Sequence, residues 1–372
     1  MSEATHIPTL YMAFELSNQK WHLAFTVGLG QPPRERTIPA GDLQALQREI
    51  AQARQRFGLP ENTRILSCYE AGREGFWLHR CLVAQGIQNQ VVDSASIQVD
   101  RRARRAKTDH LDVVQLVTQL VRFDTGDQKV WRVVHVPDPQ AEDRRHLHRQ
   151  LWTLKDDRTR HINRIKGLLA TQGVRISVSQ DFPQRLAQAR CWDGSPLPEG
   201  LRQRLEVEYA GLQFVEEQIR RLEAQRRQII RTSDDPAVQE VRQLMRLRAI
   251  GENGAWVLVM EYFAWREFRN RREVGGLSGL TPTPYRSGEE DQEQGISKAS
   301  NGRLRALMIE LAWAWLRYQP ESELSRWYWE RFGRGSKRQR RIGIVALARK
   351  LLIALWRYLE TGEVPAGARL KA

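Results

Sequence analysis

Four carboxylates in the first third of the chain have the types and positions that metal-dependent phosphoryl transfer requires. Glu15 ends the first predicted strand and Glu70 ends the fourth, while Asp109 and Asp112 stand three apart on one predicted helix and so share a face. Carboxylates that converge on Mg²⁺ or Mn²⁺ ions activate attack on a phosphate. The pattern predicts a metal site, and solvated strand ends and helix caps are the alternative interpretation.

A basic segment lies directly before the two aspartates, where the sequence from 101 to 112 reads RRARRAKTDHLD. Such a segment fits a DNA backbone that is brought to a metal site, and a solvated run of charge is the alternative. The predicted nucleic-acid contacts in this segment are Arg101, Arg102, Arg104, Arg105 and Lys107.

The charge of the whole chain points in the same direction. Among 372 residues, 59 are Lys or Arg and 44 are Asp or Glu, which gives a formal net charge of +15. A balance this basic predicts a polyanionic partner, most often nucleic acid. Basic and acidic residues alternate along the predicted helices, which argues against a membrane-surface protein. No run of about 18 apolar residues predicts a transmembrane helix.

The cysteines and the first residues predict a cytoplasmic protein. Cys68, Cys81 and Cys191 lack metal-ligand spacing and are expected to be reduced thiols. The opening MSEATHIPTL lacks the basic start and apolar core of a secretory signal.

The elements that must position the carboxylates form a predicted α/β domain over residues 1–135. Runs rich in apolar and aromatic residues, together with helical spacing, give the order β-β-β-α-β-α-β-α, which is the order of a ribonuclease-H-like (RuvC-like) mixed sheet. The predicted strands are 10–16, 20–28, 34–38, 63–69 and 89–93, and the predicted helices are 42–56, 74–86 and 109–122.

Two long helices, 140–171 and 200–231, are predicted for a middle region over 136–235. Nine positions from 201 to 229 follow alternating steps of four and three, and seven of them are apolar, Glu208 and Arg226 being the exceptions. This pattern favours a coiled coil or helical hairpin, with ordinary bundle packing as the alternative. Residues 174–199 are predicted to be a loop.

A third, helical domain is predicted over 236–372. Gly251 and Gly254 are predicted to lie between two helices in a turn that resembles a helix-hairpin-helix motif, whose backbone amides can hold a phosphate. Residues 279–295 are predicted to be a loop, and three helices follow at 299–318, 321–332 and 339–361.

Ser287 lies in that loop, in the sequence YRSG. A serine before a glycine is ordinarily a turn residue. A nucleophilic serine needs a base or a metal-polarised environment, and the local sequence supplies neither.

Taken together, these segments resemble the insertion-sequence transposases that carry a DEDD tetrad and a C-terminal serine, described as bridge-RNA-guided recombinases. FELSNQKW is similar to their first-strand motif, CYEAGREGFWL to the second, and KTDHLD to K-T-D-x-x-D. LRAIGENGA resembles their I-P-G-I-G hairpin, and GLTPTPYRSG followed by GISKASNGRLR resembles their serine segment. These blocks appear in family order and span nearly the whole chain.

The resemblance implies a role for each matching residue. Glu15, Glu70, Asp109 and Asp112 would bind the metal ions, Ser287 would form a covalent phosphoserine with DNA, and Lys298 and Arg303 would contact nucleic acid. The implied partners are donor and target duplex DNA and a structured noncoding RNA whose base pairing supplies specificity. The resemblance also implies a homodimer or homotetramer in the bacterial cytoplasm, associated with the nucleoid.

Three positions depart from the family pattern. Glu15 replaces an aspartate, Ser300 replaces a glycine, and Arg248 and Ala249 stand where the hairpin has proline and its first glycine. Three hypotheses remain open at this point. The chain is a serine recombinase, a metal-only nuclease or junction resolvase in which Ser287 is dispensable, or a non-catalytic nucleic-acid-binding protein, which Glu15 would favour.

Overall fold

The computed structural model describes residues 8–98, 109–287, 290–296 and 301–371. The chain divides into two compact units, Met1–Val136 and Pro137–Ala372. The first is a mixed α/β layer structure and the second is largely helical, which confirms the predicted combination of the two classes. Among the described residues, no helix has the length and apolar character needed to cross a bilayer.

The first unit is built on one five-stranded sheet. Its strands are β1 (Thr9–Leu16), β2 (Lys20–Thr26), β3 (Arg34–Pro39), β4 (Arg64–Glu70) and β5 (Gln88–Val92). Its helices are α1 (Leu43–Arg56), α2 (Trp77–Ala84) and α3 (Asp109–Asp124).

The sheet has the strand order β3-β2-β1-β4-β5. The first three strands form an antiparallel meander, and β4 and β5 then continue the sheet parallel to β1. Alternate residues of each strand enter different layers, because successive side chains of a strand point to opposite faces. Met12 and Phe14 pack in the core with α1 and α2, whereas Tyr11 and Ala13 pack in a second core with α3.

A polar clamp fixes the direction of α3 across the sheet. Asp124, the last residue of α3, accepts two hydrogen bonds from the Arg64 guanidinium at 2.9 and 3.0 Å and one from the Tyr11 hydroxyl at 2.8 Å. Arg64 begins β4 and Tyr11 lies near the start of β1. The helix therefore runs antiparallel to both strands, and its first turn lies toward their carboxyl ends.

In the second unit, α4 (Pro139–Ala170) and α6 (Glu199–Thr232) pack as a long antiparallel pair. Leu151 packs against Val215 and Ile219 along the seam. The two polar exceptions in the heptad pattern have specific partners. Glu208 accepts hydrogen bonds from Arg164 and His161 of the opposite helix, and the buried Arg226 donates to the Asn253 side chain at 2.9 Å.

The remaining elements of the second unit are α5 (Phe182–Gln188), α7 (Pro236–Met245), α8 (Glu252–Leu258), α9 (Arg271–Leu277), β6 (Pro282–Ser287), β7 (Glu290–Ile296), α10 (Gly302–Tyr318), α11 (Glu323–Phe332) and α12 (Lys337–Thr361). A π-helical turn, Val259–Phe263, follows α8. One large core is formed by apolar faces of α7, α8, α10 and α12 with residues between them, whereas α5 packs in a separate core with α4 and α6.

Three sequence-based expectations are wrong in this unit. The predicted loop 279–295 contains the antiparallel hairpin of β6 and β7, and the predicted loop 174–199 contains α5. Gly254 does not lie between helices but inside α8. A small residue is suited to this position because α8 packs so closely on α10 that an added Cβ would stand 3.1 Å from Leu311 Cδ2.

Candidate active site

Glu15 and Glu70 lie side by side at the carboxyl ends of the two adjacent inner strands β1 and β4. The parallel register of β1 and β4 pairs Phe14 with Tyr69, so the next residue of each strand is one of the two glutamates. Neighbours in register point to the same face. That face is the one covered by α3, because Ala13 and Cys68, two residues before the glutamates, belong to the core formed with α3. Both glutamates are partly exposed.

A cavity of about 190 Å³ opens where these two strands end. Glu15 and Glu70 line it together with Ser17 and Asn18 from the turn after β1 and with Arg73 and Glu74 from the loop after β4. The strand ends thus bring carboxylates into a small concave site that is open to solvent.

The first turn of α3 reaches the same level as the two glutamates. The Cys68 thiol lies 3.9 Å from the carbonyl oxygen of Leu116, which fixes the height of the helix over β4. Asp112 lies four residues before Leu116, about 6 Å along the helix, and Glu70 lies two residues after Cys68, about 6.6 Å along the strand. Since α3 runs antiparallel to β4, Asp112 and Glu70 advance toward the same edge.

The backbone of Asp109 stands one helical turn further in that direction, as the first residue of α3. Within the side chains that the structure describes, no group of three or more His, Cys, Asp or Glu residues is arranged to hold a metal ion. Glu15, Glu70 and Asp112 are among those searched, whereas the Asp109 side chain lies outside the described part.

The charge at this edge influences the buried thiol beneath it. Burial raises the pKa of Cys68 well above its usual range, and the negative charge of Glu70 raises it further. The thiol is completely buried. Cys68 is therefore a buried core thiol whose protonated form is favoured by its surroundings.

Ser287 occupies the tip of the β6–β7 hairpin. It is the last residue of β6 and pairs with Glu290, the first residue of β7. The Ser287 backbone thus belongs to a paired strand rather than to the loop predicted from the sequence.

Of the predicted nucleic-acid contacts, Arg303 lies within the described residues. It is in the first turn of α10 and is exposed, and its guanidinium carbon lies 4.9 Å from the ring centre of Trp152 on α4. This cation–π contact orients the guanidinium while leaving it open to solvent. The other predicted contacts, Arg101, Arg102, Arg104, Arg105, Lys107 and Lys298, lie outside the described residues.

The turn before α8 retains a glycine-like backbone at Ala249. This residue has φ of 79°, and it is the one non-glycine residue with positive φ among those the structure describes. The resemblance assigns this position to the first glycine of the family hairpin. Glu252 is an acidic residue in the first turn of α8, near the positive helix end that the motif would offer to a phosphate.

A polar cluster that sequence reasoning missed centres on Glu261, in the π-helical turn. His148 contacts one carboxylate oxygen at 2.8 Å, Arg149 donates to both oxygens at 2.6 and 3.2 Å, and Asn301 donates to the other at 2.8 Å. Burial alone would raise the pKa of Glu261, but the hydrogen bonds and charges of His148 and Arg149 lower it to about 2.

The Glu261 cluster joins three parts of the second unit. His148 and Arg149 belong to α4, and Asn301 caps the amino end of α10, five residues after β7 ends. The sequence did contain one signal for this cluster, a lone carboxylate in the apolar run AWVLVMEYF. A charge that is buried with such a run requires polar partners. Those partners are 40 to 113 positions away in the sequence, so spacing could not identify them.

Comparison with known proteins gives consistent matches. Residues 241–326, which include Ser287, match the sequence model of the transposase IS116/IS110/IS902 family. The chain is 39% identical over 377 residues to y4rJ of Sinorhizobium fredii, a protein named as a transposase, with 97% of this chain and 94% of that protein covered.

Two further relatives are more distant. The transposase for insertion sequence element IS1328 of Yersinia enterocolitica is 25% identical over 62% of this chain and 68% of its own length. A Pseudomonas aeruginosa protein named as a family 20 transposase is 27% identical over 60% of this chain and 66% of its own length. The long match to y4rJ spans both the carboxylate edge and the serine hairpin. The chain therefore belongs to the IS116/IS110/IS902 family of transposases.

Proposed function

We propose that this transposase cuts and exchanges DNA strands through a phosphoserine formed at Ser287, with Glu15, Glu70, Asp109 and Asp112 as its metal-binding carboxylates. The observation that carries the proposal is the meeting of Glu15 and Glu70 at adjacent parallel strand ends, toward which the first turn of α3 advances. The order of strands and helices around them supports a ribonuclease-H-like fold for the first unit.

The donor set suits Mg²⁺ or Mn²⁺, because each of the four residues offers hard carboxylate oxygens. When bound, such ions would polarise the scissile phosphate and neutralise charge that develops on the attacking and leaving oxygens. Glu15 is one methylene longer than the aspartate of the family motif, so its carboxylate extends further from β1. The open cavity at that strand end gives the longer side chain room.

The serine provides the covalent step. The Ser287 Oγ attacks a DNA phosphorus, the Oγ–P bond forms, and the sugar oxygen of the cleaved strand leaves and takes up a proton. A hydroxyl of the exchanged strand then attacks the phosphoserine, the new P–O bond forms, and the serine is released. Strands are thus exchanged without free ends, and the number of phosphodiester bonds is conserved.

Guidance by a structured noncoding RNA completes the proposal. Base pairing between the RNA and both DNAs would supply sequence specificity, while the protein supplies shape, charge and chemistry. The excess of Lys and Arg supports binding to several nucleic-acid strands at once. Assembly as a dimer or tetramer belongs to the same proposal, with the α4–α6 pair as the assembly element.

The decisive experiment is an adduct assay with element-end DNA, its flanking noncoding RNA and Mg²⁺, resolved on a denaturing gel. We expect a covalent protein–DNA band that disappears in Ser287→Ala and persists in Thr283→Ala, a control in the same strand. Cleaved DNA without an adduct would favour the metal-only nuclease. Intact binding without cleavage would favour a non-catalytic protein, and Glu15→Asp would then test whether the longer side chain is responsible.

The carboxylates are tested separately by Asp112→Asn, which removes the charge with little change of shape. We expect cleavage to be lost while RNA binding persists, because the site would lose a ligand but the basic surfaces would remain. Glu61→Gln is the matched control, since Glu61 is an exposed carboxylate that precedes β4 at the opposite edge of the sheet. Equal loss of cleavage and RNA binding in Asp112→Asn would indicate a folding role.

A further inference from the structure

A strongly basic surface surrounds the turn between α11 and α12. Between Glu323 and Glu360 the sequence has ten basic residues and one acidic residue, Glu330. Six of the cations are exposed and lie within eleven consecutive positions. These six, the basic turn, are Arg331, Arg334, Lys337, Arg338, Arg340 and Arg341.

The basic turn has a fixed shape rather than that of a loose charged loop. Ser336 and Gln339 form reciprocal capping bonds at the start of α12, at 2.7 and 3.3 Å. The amide of Gly333 donates to the Trp329 carbonyl, and an added Cβ at Gly333 would stand only 2.5 Å from that oxygen. A Cβ at Gly343 would stand 2.5 Å from the Phe332 ring. Two glycines and a capping box therefore hold the helices together at this turn.

The positive charge of the basic turn is not offset by carboxylates among the described residues. In the portion of the chain that the structure describes, none of the six is ion-paired with a carboxylate, unlike the arginines of α6 that pair with Glu199 and Glu217. Four of them lie at the start of α12, which has no acidic residue in its first turn. The amino end of a helix favours anions, so cations at this end repel one another and the helix dipole.

An aromatic side chain borders the same turn. Trp329 is 49% exposed and lies so close to the turn that a Cβ at Gly333 would stand 3.0 Å from its ring. Exposed aromatic rings beside cations are typical of surfaces that bind nucleic acids, because the cations contact phosphates and the rings stack on bases. Local repulsion that a polyanion would relieve points to the same class of partner.

We infer that the basic turn is a nucleic-acid-binding surface that grips consecutive backbone phosphates, in addition to the basic segment at 101–107. The inference rests on the proposed function in that the phosphates belong to the DNA or RNA that the transposase handles. It does not depend on the serine chemistry, because a backbone grip positions a strand without reacting with it.

The test measures equilibrium binding of the full chain carrying Ser287→Ala, so that strand chemistry plays no part. The probes are a 30-base-pair mixed-sequence duplex and a structured RNA hairpin, each titrated from about 50 to 200 mM salt. The test variant adds Lys337→Gln, Arg338→Gln and Arg341→Gln. The control variant instead adds Arg202→Gln, Arg220→Gln and Arg221→Gln, which remove the same charge from exposed, ion-paired positions on α6.

We expect the test variant to bind at least one probe about tenfold more weakly than the parent, with a log–log salt slope shallower by about two to three, since each lost phosphate contact removes about 0.7 to 0.9. The control variant should match the parent. Loss on the duplex alone assigns the phosphates to DNA, and loss on the hairpin alone assigns them to RNA. Unchanged slopes with both probes, or equal losses in the two variants, would overturn the inference.

The same preparations separate this inference from the proposed function. Unfolding curves that match the parent would show that the capping box and turn survive the substitutions, and the milder pair Arg338→Gln and Arg341→Gln replaces the triple if they do not. The adduct assay with the serine restored then tests the chemistry alone. A missing adduct with a preserved binding contrast would refute the serine mechanism while supporting the basic turn.

Discussion

At the scale of single residues, Ala249 shows how the chain departs from the family motif that it resembles. Its φ of 79° places an L-residue in the left-handed region, where a Cβ clashes with the backbone at a cost of roughly 1–2 kcal/mol. The backbone of the turn is held in place by pairing of the Arg248 amide with the Arg369 carbonyl at 3.1 Å. The turn thus has a backbone conformation suited to glycine at the position where the resemblance places one.

Ala249→Gly should therefore stabilise the second unit. Relief of strain outweighs the larger conformational entropy that glycine adds to the unfolded chain, and we expect a net gain of about 0.5–1 kcal/mol in the free energy of unfolding. Equilibrium unfolding in urea measures this change in the free energy of unfolding. Ala255→Gly, inside α8 at ordinary helical dihedrals, is the control and should lose about 1 kcal/mol. Equal losses in both variants would show that Ala249 is unstrained.

Glu261 sets the acid stability of the second unit. Its folded pKa of about 2 lies below the ordinary value of 4.5, so its contribution is complete above pH 4.5 and is lost as pH falls toward 2. The difference corresponds to about 3 kcal/mol. Burial also lowers the pKa of His148 from 6.5, against the opposing effect of Glu261. Protonation of His148 therefore favours unfolding once the pH falls below about 6.5.

We expect the free energy of unfolding of the second unit to fall from pH 6.5 downward, and more steeply below pH 4.5. Glu261→Gln should lose about 3 kcal/mol at pH 7, because Arg149 and His148 lose their charged partner, and it should flatten the lower part of the pH profile. Glu267→Gln, a change at an exposed neighbour, serves as the control. A variant at Glu261 with the parent's pH profile would contradict this assignment.

At the scale of elements, the site depends on the placement of α3. The Asp124 clamp holds one end of this helix, and Asp109 and Asp112 lie at the other, about 18 to 22 Å away at 1.5 Å per residue. The hydrogen bond to Asp124 and burial, which is the larger cause, raise the pKa of Tyr11 to about 12, so its hydroxyl remains a donor at physiological pH. The clamp thus acts on the carboxylates through the helix.

Asp124→Ala should weaken cleavage without removing any proposed ligand. Arg64 and Tyr11 would lose their acceptor, costing about 1–3 kcal/mol of stability, and the freed helix would hold its first turn less precisely. We expect the Mg²⁺ concentration for half-maximal cleavage to rise several-fold, with partial recovery at high Mg²⁺. Asp127→Asn, which removes one partner of the exposed ion pair with Arg122, should leave the Mg²⁺ concentration for half-maximal cleavage unchanged. Loss of stability without a change in Mg²⁺ dependence would limit the clamp to a folding role.

The sequence predicted most of these elements because their periodicities are strong. The continuous apolar run of β1 reflects burial on both faces of the sheet, and the apolar stripe on α3 reflects packing against one of those faces. The β6–β7 hairpin was missed because PTPYRS and EDQEQGI contain prolines, charges and glycine instead of alternating apolar residues. Glu15 and Glu70 could be placed at strand ends from the sequence, but their adjacency follows from the parallel pairing of β1 with β4. The partners of Glu261 depend on packing between distant helices.

At the scale of the whole molecule, excess positive charge is distributed over both units rather than confined to one site. The segment at 101–107 lies in the first unit, and Arg303 and the basic turn lie in the second. A protein that exchanges DNA strands, as proposed here, must bind several phosphate backbones at once. Only a few of the bonds in those backbones are cut at any time, so most contacts serve to hold the strands. Dispersed cations meet that need, because each contact adds affinity without fixing sequence.

Binding of duplex DNA and of structured RNA should accordingly fall steeply with salt. Each neutralised phosphate releases counterions and adds about 0.9 to the log–log slope for duplex DNA. A chain of net charge +15 that engages six or more phosphates should lose about a thousandfold in affinity between about 50 and 200 mM salt. Gel-shift titrations measure this, and Asp112→Asn should show the parent's slope because a metal ligand contributes no counterion release. A flat response would mean that apolar or base-specific contacts dominate, and the dispersed cations would then serve solubility rather than strand capture.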